Sequence, residues 1–148
     1  MQHAELGRFA VVYATVHTSA SSTVALGPRV SISAQKVLII SAEPIIGALL
    51  GIYVELSGWQ PAFAGEEQSA ADAVAQCDPA IVLVDLEHRD GASPSFVAHE
   101  RARGRRVIVF SSRARPFASW RRDDLAGVPA FAMPIDAASF RAVLNGAR

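Results

Sequence analysis

Residues 78–91 read Asp78-Pro-Ala-Ile-Val-Leu-Val-Asp85-Leu-Glu-His-Arg-Asp-Gly91, an apolar run that ends on one carboxylate and then turns polar. The run Ala80–Val84 is unbroken, rich in β-branched residues and bounded by Pro79 and by the Asp90-Gly91 turn signal, which predicts a strand buried on both faces. Such strands belong to parallel sheets, where the ligand crevice lies beyond the carboxyl ends of the strands. Asp85 is therefore a candidate site residue. The structural alternative is an acid that only ends the strand or caps the next turn.

The composition indicates a soluble globular protein with a single core, because 51% of the 148 residues are hydrophobic and the formal net charge is zero. Cys77 is the only cysteine, so an intrachain disulfide is excluded and a zinc site is not expected. The longest apolar runs are too short to cross a bilayer. Phe9–Val16 is short for a secretory signal and is preceded by Glu5. We therefore expect a cytoplasmic protein without a membrane partner.

Strand and helix patterns alternate from Lys36 to the C-terminus. The predicted strands are Val37–Ile40, Trp59–Ala64, Ala80–Val84, Arg106–Phe110 and Val128–Met133, and the predicted helices are Pro44–Leu56, Glu66–Gln76, Pro94–Arg103, Phe117–Leu125 and Asp136–Asn145. Five such units predict an α/β fold with a doubly wound, five-stranded parallel sheet. In the flavodoxin-like strand order 2-1-3-4-5, Ser41 and Asp85 would meet in the crevice between strands one and three.

Residues 1–35 do not follow this alternation. Their polar stretch His17–Thr23 is typical of a loop or linker. We therefore divide the chain into an N-terminal extension, residues 1–35, and a domain, residues 36–148. The extension is either an arm that docks on a partner or on a second copy of the chain, or else a flexible leader or an over-long predicted start.

Four short motifs lie at the predicted strand ends or in the residues that directly follow them. They are Val-Leu-Val-Asp85-Leu with Gly91 a few residues on, Ser111 at the end of strand four, Pro134 in Ala132-Met-Pro-Ile135, and Glu43-Pro44 at the start of helix one. In this order and spacing, Lys36 to the C-terminus resembles the receiver domain of two-component response regulators. The resemblance implies that Asp85 is a phospho-acceptor and that Ser41, Ser111, Glu87 and Met133 surround its phosphate pocket.

Three features of that family are replaced in this chain. Receivers end strand one with two acids that hold magnesium, where this chain has Ser41 and Ala42; Met133 replaces a lysine and Ala130 an aromatic residue. Phosphoryl transfer depends on cations around the transferring oxygens. Asp85 would be the lone carboxylate, so we expect no cofactor, or a weakly held magnesium ion at Asp85. Compensation by other charged groups is the alternative, and its candidates are Glu43, Glu87, Arg89 and Arg113.

The second half of the domain is rich in arginine. Eight arginines crowd around strand four: Arg101, Arg103, Arg105, Arg106, Arg113, Arg115, Arg121 and Arg122. They form either a docking face for an acidic partner or a solvated surface. Nucleic-acid binding is not expected, because no helix-turn-helix or aromatic platform is evident. Receiver domains commonly bind partners beside helix four, so we predict an interface at Trp120, Arg121 and Arg122; a core position for Trp120 is the alternative.

These observations predict a single-domain signalling module in a two-component phosphorelay context. It would be degenerate in its chemistry and act by protein–protein interaction, with a histidine kinase, another signalling protein or a second copy as partner. The alternative is a working receiver that is phosphorylated on Asp85. An enzyme on the same fold is not expected and no catalytic residue is assigned, because the chain has neither a phosphate-binding glycine loop nor a nucleophile paired with a base.

Overall fold

The structure is a computed structural model that describes residues 35–112 and 126–146. Its strands are β1 (Lys36–Ile40), β2 (Gln60–Phe63), β3 (Ile81–Asp85), β4 (Arg106–Ser111) and β5 (Ala130–Ala132). Its helices are α1 (Pro44–Leu56), α2 (Ala70–Cys77), α3 (Pro94–Ala102) and α4 (Ala137–Leu144). The predicted helix Phe117–Leu125 lies outside the described residues, as does the predicted extension apart from Gln35. None of the described helices has the length and hydrophobicity needed to cross a membrane.

All five strands are parallel and lie in the order β2-β1-β3-β4-β5. The predicted fold class and strand order are confirmed. The order reverses direction between β1 and β3, where Ile40 is the partner of Val84. This reversal opens a crevice at the carboxyl ends of these two strands. It brings the residues that follow β1 close to the last residue of β3.

The sheet is buried on both faces. Alternate residues of the central strands belong to two core clusters, one with Ile39 and Leu83 and the other with Ile40 and Val84. Every residue of β3 is buried, as its unbroken apolar run predicts. The two clusters hold the central strands rigidly, so the strand ends position the candidate site.

Helix α2 begins later than the sequence pattern predicts. The acids Glu66 and Glu67 favoured a start at Glu66, but the structure has a turn there and the helix begins at Ala70. Ser69 is the N-cap, and its hydroxyl accepts a hydrogen bond from the Asp72 N–H at 3.1 Å. A serine that satisfies a free amide fixes the helix start more strongly than acids in a first turn do.

Helix α4 begins at the predicted N-cap, Asp136. The carboxylate accepts hydrogen bonds from the Ser139 N–H at 2.9 Å and from the Ser139 hydroxyl at 2.6 Å. These bonds, the hydroxyl one first, lower the pKa of Asp136 below its ordinary value of 3.8. A carboxyl group with a lowered folded pKa stabilises the fold above its unfolded pKa, and this contribution is lost as the pH falls through the folded value.

We expect Asp136→Asn to be less stable than the wild type at neutral pH, because asparagine keeps the capping oxygen but loses the charge. The difference should shrink as the pH falls from the ordinary pKa of 3.8 through the lower pKa of the folded carboxyl group, where the native carboxylate becomes protonated. Urea unfolding of both proteins across this range measures it. A difference that stays constant with pH would show that the Asp136 charge does not contribute.

Candidate functional site

Three predicted site residues lie at one edge of the sheet. Asp85 is the last residue of β3 and the register partner of Phe110, and Ser41 follows β1, the neighbouring strand. Ser111 is the last residue of β4 and lies one residue beyond Phe110, so it is a diagonal neighbour of Asp85. Asp85 and Ser111 are both 0% exposed. The carboxyl ends of β1, β3 and β4 therefore bring these residues to the same edge.

The Asp85 carboxylate is held by two backbone amides. The Ala42 N–H donates to Oδ2 and the Glu87 N–H donates to Oδ1, each at 3.0 Å. Both donors are neutral, and they come from different connections, Ala42 from β1–α1 and Glu87 from β3–α3. Hydrogen bonds to a carboxylate are stronger than those between neutral groups. Asp85 therefore links the β1–α1 and β3–α3 connections by hydrogen bonds at the crevice.

The Ser41 hydroxyl lies beside the Asp85 carboxylate. Its Oγ lies 3.5 Å from Asp85 Oδ2 but 2.9 Å from the Glu43 carbonyl oxygen. A serine has one hydroxyl proton, and a bond weakens steeply at long distance, so the proton is better placed for Glu43. The Glu43 N–H also donates to Ser41 Oγ, at 3.2 Å. Ser41 thus mainly shapes the turn before α1.

Met133 occupies the position where the resemblance implies a lysine. Its side chain is partly buried and packs against the core cluster of Phe110, Phe131 and Phe140. Its backbone N–H donates to the Ser111 carbonyl at 2.9 Å, and the Met133–Pro134 peptide bond is cis. The sheet edge therefore has an apolar side chain at this position.

The remaining predicted groups are spread around this edge. Glu87 is half-buried, and Glu43 is exposed and forms the N-cap of α1 without a side-chain capping bond. Arg89 is exposed. Within residues 35–112 and 126–146, no three acidic, histidine or cysteine side chains are grouped as metal ligands. Arg113 and the predicted interface residues Trp120, Arg121 and Arg122 lie outside the described residues, so that interface stays a prediction.

A groove of about 470 Å³ opens beside Asp85, between the start of α1 and the end of β2. Its walls are mostly apolar, with Ser41, Glu66 and His88 as polar members, and Asp85 is not among the lining residues. His88 Nδ1 accepts a hydrogen bond from the Gly91 N–H at 3.1 Å. The groove thus approaches Asp85 without exposing its carboxylate.

Sequence reasoning missed the groups that hold Asp85. They are the backbone N–H groups of Ala42 and Glu87. Every residue except proline carries the same N–H group, so no residue type signals such a contact. The one available hint is that Ala42 and Glu87 lie two and three residues after predicted strand ends.

The fold is similar to solved receiver structures. The N-terminal receiver domain of RstA from Klebsiella pneumoniae, described as BeF3-activated, has a TM-score of 0.61 at 16% identity, with 75% of this chain and 96% of that one covered. A CheY-like response regulator receiver domain from Methylobacillus flagellatus has a TM-score of 0.60 at 20% identity, with coverage of 76% and 98%. The chain has the receiver fold.

The chain is also similar to a sensor protein from Polaromonas sp. JS666, with a TM-score of 0.58 and 26% identity, over 75% of this chain and 93% of that one. No family model matches the sequence, and no curated protein is similar enough in sequence to count as a relative. The predicted receiver likeness is thus confirmed by the fold. Within the receiver fold, Asp85 lies at the carboxyl end of β3, beside the crevice at the strand-order reversal.

Proposed function

We propose that this chain is a signalling module that acts by binding a protein partner, and that Asp85 is a structural acid rather than a phosphoryl acceptor. The observation that carries the proposal is the burial and hydrogen bonding of the Asp85 carboxylate. It is 0% exposed, and a backbone N–H occupies each oxygen. A nucleophilic oxygen must be open to the phosphorus atom, whereas this carboxylate is closed off from solvent and fixed by two backbone bonds.

The charges around Asp85 support the same conclusion. An aspartate and a phosphodonor are both anionic, so transfer needs cations at the oxygens. The resemblance implies that receivers use two strand-one acids with magnesium and one lysine, whereas this chain has Ser41, Ala42 and Met133. Serine and methionine side chains are neutral, so neither Ser41 nor Met133 supplies a charge. The Ser41 hydroxyl is turned to the Glu43 carbonyl, and Met133 packs on the core.

Partner binding remains the role that this fold can perform without phosphoryl chemistry. The similar solved structures include receiver domains of response regulators, which supports a two-component context. We propose a histidine kinase or another signalling protein as the partner, in the cytoplasm, and no enzymatic activity for this chain.

Phosphorylation on Asp85 is the second candidate function. The observation in its favour is the place of Asp85, which ends β3 at the crevice with Ser41 and Ser111 at the same edge. It requires the buried Asp85 carboxylate to become accessible to a phosphodonor.

Incubation with acetyl phosphate and Mg²⁺, followed by intact mass measurement, separates the two functions. We expect no acid-stable, base-labile phosphoryl adduct on the wild type. The triple variant Ser41→Asp, Ala42→Asp, Met133→Lys restores the missing charges. It should be labelled at least about tenfold more, because one charge-assisted bond is worth roughly 1.5–3 kcal/mol.

Asp85→Asn in both backgrounds is the matched control, because it keeps the size of the side chain and removes the nucleophile. A magnesium-dependent adduct on the wild type that Asp85→Asn abolishes would overturn the proposal. A triple variant that stays unlabelled would show that the missing charges are not the cause.

A further inference from the structure

Helix α1 is apolar on two opposite sides. One side is buried in the core through Gly47, Leu50, Gly51 and Val54. The opposite side carries Ile45, Ile52 and Leu56, which are 83%, 54% and 61% exposed. Glu55 is the single charged residue between Pro44 and Leu56. A helix that is hydrophobic all round is normally buried all round, so within the described residues the outer side of α1 lacks a packing partner.

The exposed apolar side chains are concentrated at this helix. Three of the four large exposed hydrophobic residues in the described part of the chain lie on α1, and the fourth is Phe63, which is 55% exposed. The Phe63 ring packs over Gly51, where an added Cβ would lie 2.6 Å from Cζ. We call Ile45, Leu49, Ile52, Leu56 and Phe63 the α1 patch. Exposed apolar side chains concentrated in this way mark an interaction site.

The spacing within the patch fits a second helix. Ile45, Leu49, Ile52 and Leu56 are four, three and four residues apart, which is the spacing of a heptad seam. A two-fold axis between Leu49 and Ile52 would pair each of these residues with another member of the same seam. The seam is therefore complementary to an antiparallel copy of itself, as a symmetric dimer requires.

The charges of α1 favour the same antiparallel arrangement. The helix has no acid within its first turn, and its N-cap Glu43 makes no side-chain capping bond. At the other end, the Arg141 side chain already donates to the Leu56 carbonyl at 3.0 Å. An antiparallel copy brings Glu55 of one helix near the N-terminus of the other. Each copy thus receives a carboxylate where the helix dipole is positive.

We propose that the α1 patch is the interface of a homodimer in which two copies of α1 pack antiparallel. The patch amounts to on the order of 500 Å² per copy. Two copies then bury on the order of 1,000 Å², which is the lower limit for a specific interface. The dimer is accordingly weak, with a dissociation constant in the micromolar range. The α1 patch contains no residue of the Asp85 site, so a failed dimer test leaves the proposed function standing.

Sedimentation velocity of the full chain from about 1 to about 500 μM tests the dimer. We expect a concentration-dependent monomer–dimer equilibrium in the wild type. Ile52→Glu should weaken the dimer at least about a hundredfold, because it places a charge at the centre of the patch. Ala98→Glu, which adds the same charge at an exposed position of α3, is the matched control and should leave the equilibrium unchanged.

A cross-linking measurement tests the antiparallel arrangement. In a Cys77→Ser background, the arrangement places residue 45 of one copy opposite residue 56 of the other. A mixture of Ile45→Cys and Leu56→Cys chains should form mixed disulfide dimers under mild oxidation, at least about fivefold more than either chain alone. Equal cross-linking in all three samples would overturn the antiparallel arrangement. A wild type that stays monomeric throughout, or a dimer that survives Ile52→Glu, would overturn the interface.

Discussion

Replacing Phe110 with alanine should lower the free energy of unfolding by roughly 3–5 kcal/mol. Phe110 is 0% exposed and lies in β4, where its ring stacks on Phe131 with centroids 5.6 Å apart and an interplanar angle of 13°. Phe131 in turn meets Phe140 of α4 edge-on, at 87°. The alanine would leave a cavity between the sheet and α4, and the surrounding rings can fill it only in part. Urea unfolding followed by circular dichroism measures the change.

The matched control is Phe63→Ala, the same substitution on the edge strand β2. Phe63 is 55% exposed, so we expect a loss of about 1 kcal/mol or less at protein concentrations where the chain is monomeric. Comparable losses for the two variants would contradict the described core.

Replacing Arg105 with methionine should lower the free energy of unfolding by about 3 kcal/mol. Arg105 Nη1 lies 3.0 Å from Glu100 Oε2, and the Glu100 side chain is 5% exposed. Without the guanidinium, the Glu100 carboxylate stays buried and loses its close ionic partner. The second partner of Arg105 is Asp78, at 2.7 Å from Nη2, whose side chain is 87% exposed. This second ion pair is screened by water and contributes little.

Two further variants isolate the buried pair. Asp78→Asn should change stability by about 0.5 kcal/mol or less, since asparagine also tolerates the left-handed conformation that Asp78 adopts at φ 45°. Arg105→Met combined with Glu100→Leu should regain most of the loss, because it removes both buried charges. Among the described residues Arg105 Nε has no hydrogen-bond partner, so the native pair is already incompletely satisfied. A double variant as unstable as Arg105→Met would show that the unpaired carboxylate is not the cause.

The fold could be predicted because its local signals agree with one another. The apolar runs Val37–Ile40 and Ala80–Val84 are bounded by polar or turn residues. Unbroken apolar runs of that length are typical of strands that are buried on both faces of a parallel sheet. The start of α2 could not be predicted, since Glu66 and Ser69 are both acceptable first-turn signals. Only the structure shows that Ser69 bonds an amide.

The site could be predicted in its position but not in its bonding. The strand ends gave the place of Asp85 and of Ser41, because carboxyl ends of parallel strands meet at one edge. The hydrogen-bond partners of the Asp85 carboxylate are backbone amides, and no residue type in the sequence predicts such a contact. The exposure of the outer side of α1 could not be predicted for a related reason. Ile45 and Leu56 have helical spacing like the core residues, so the pattern alone cannot tell which side is buried.

The two amide bonds to Asp85 have a thermodynamic consequence. The Ala42 N–H belongs to the connection that enters α1 at Pro44, so a group that draws Asp85 Oδ2 away changes the support of that connection. Binding of a protein to the outer side of α1 would then be coupled to binding of a ligand at the Asp85 carboxylate. Each binding event would change the affinity of the other by the same factor, because linkage between two binding equilibria is reciprocal. Measuring either equilibrium in the presence of the other ligand would report the coupling.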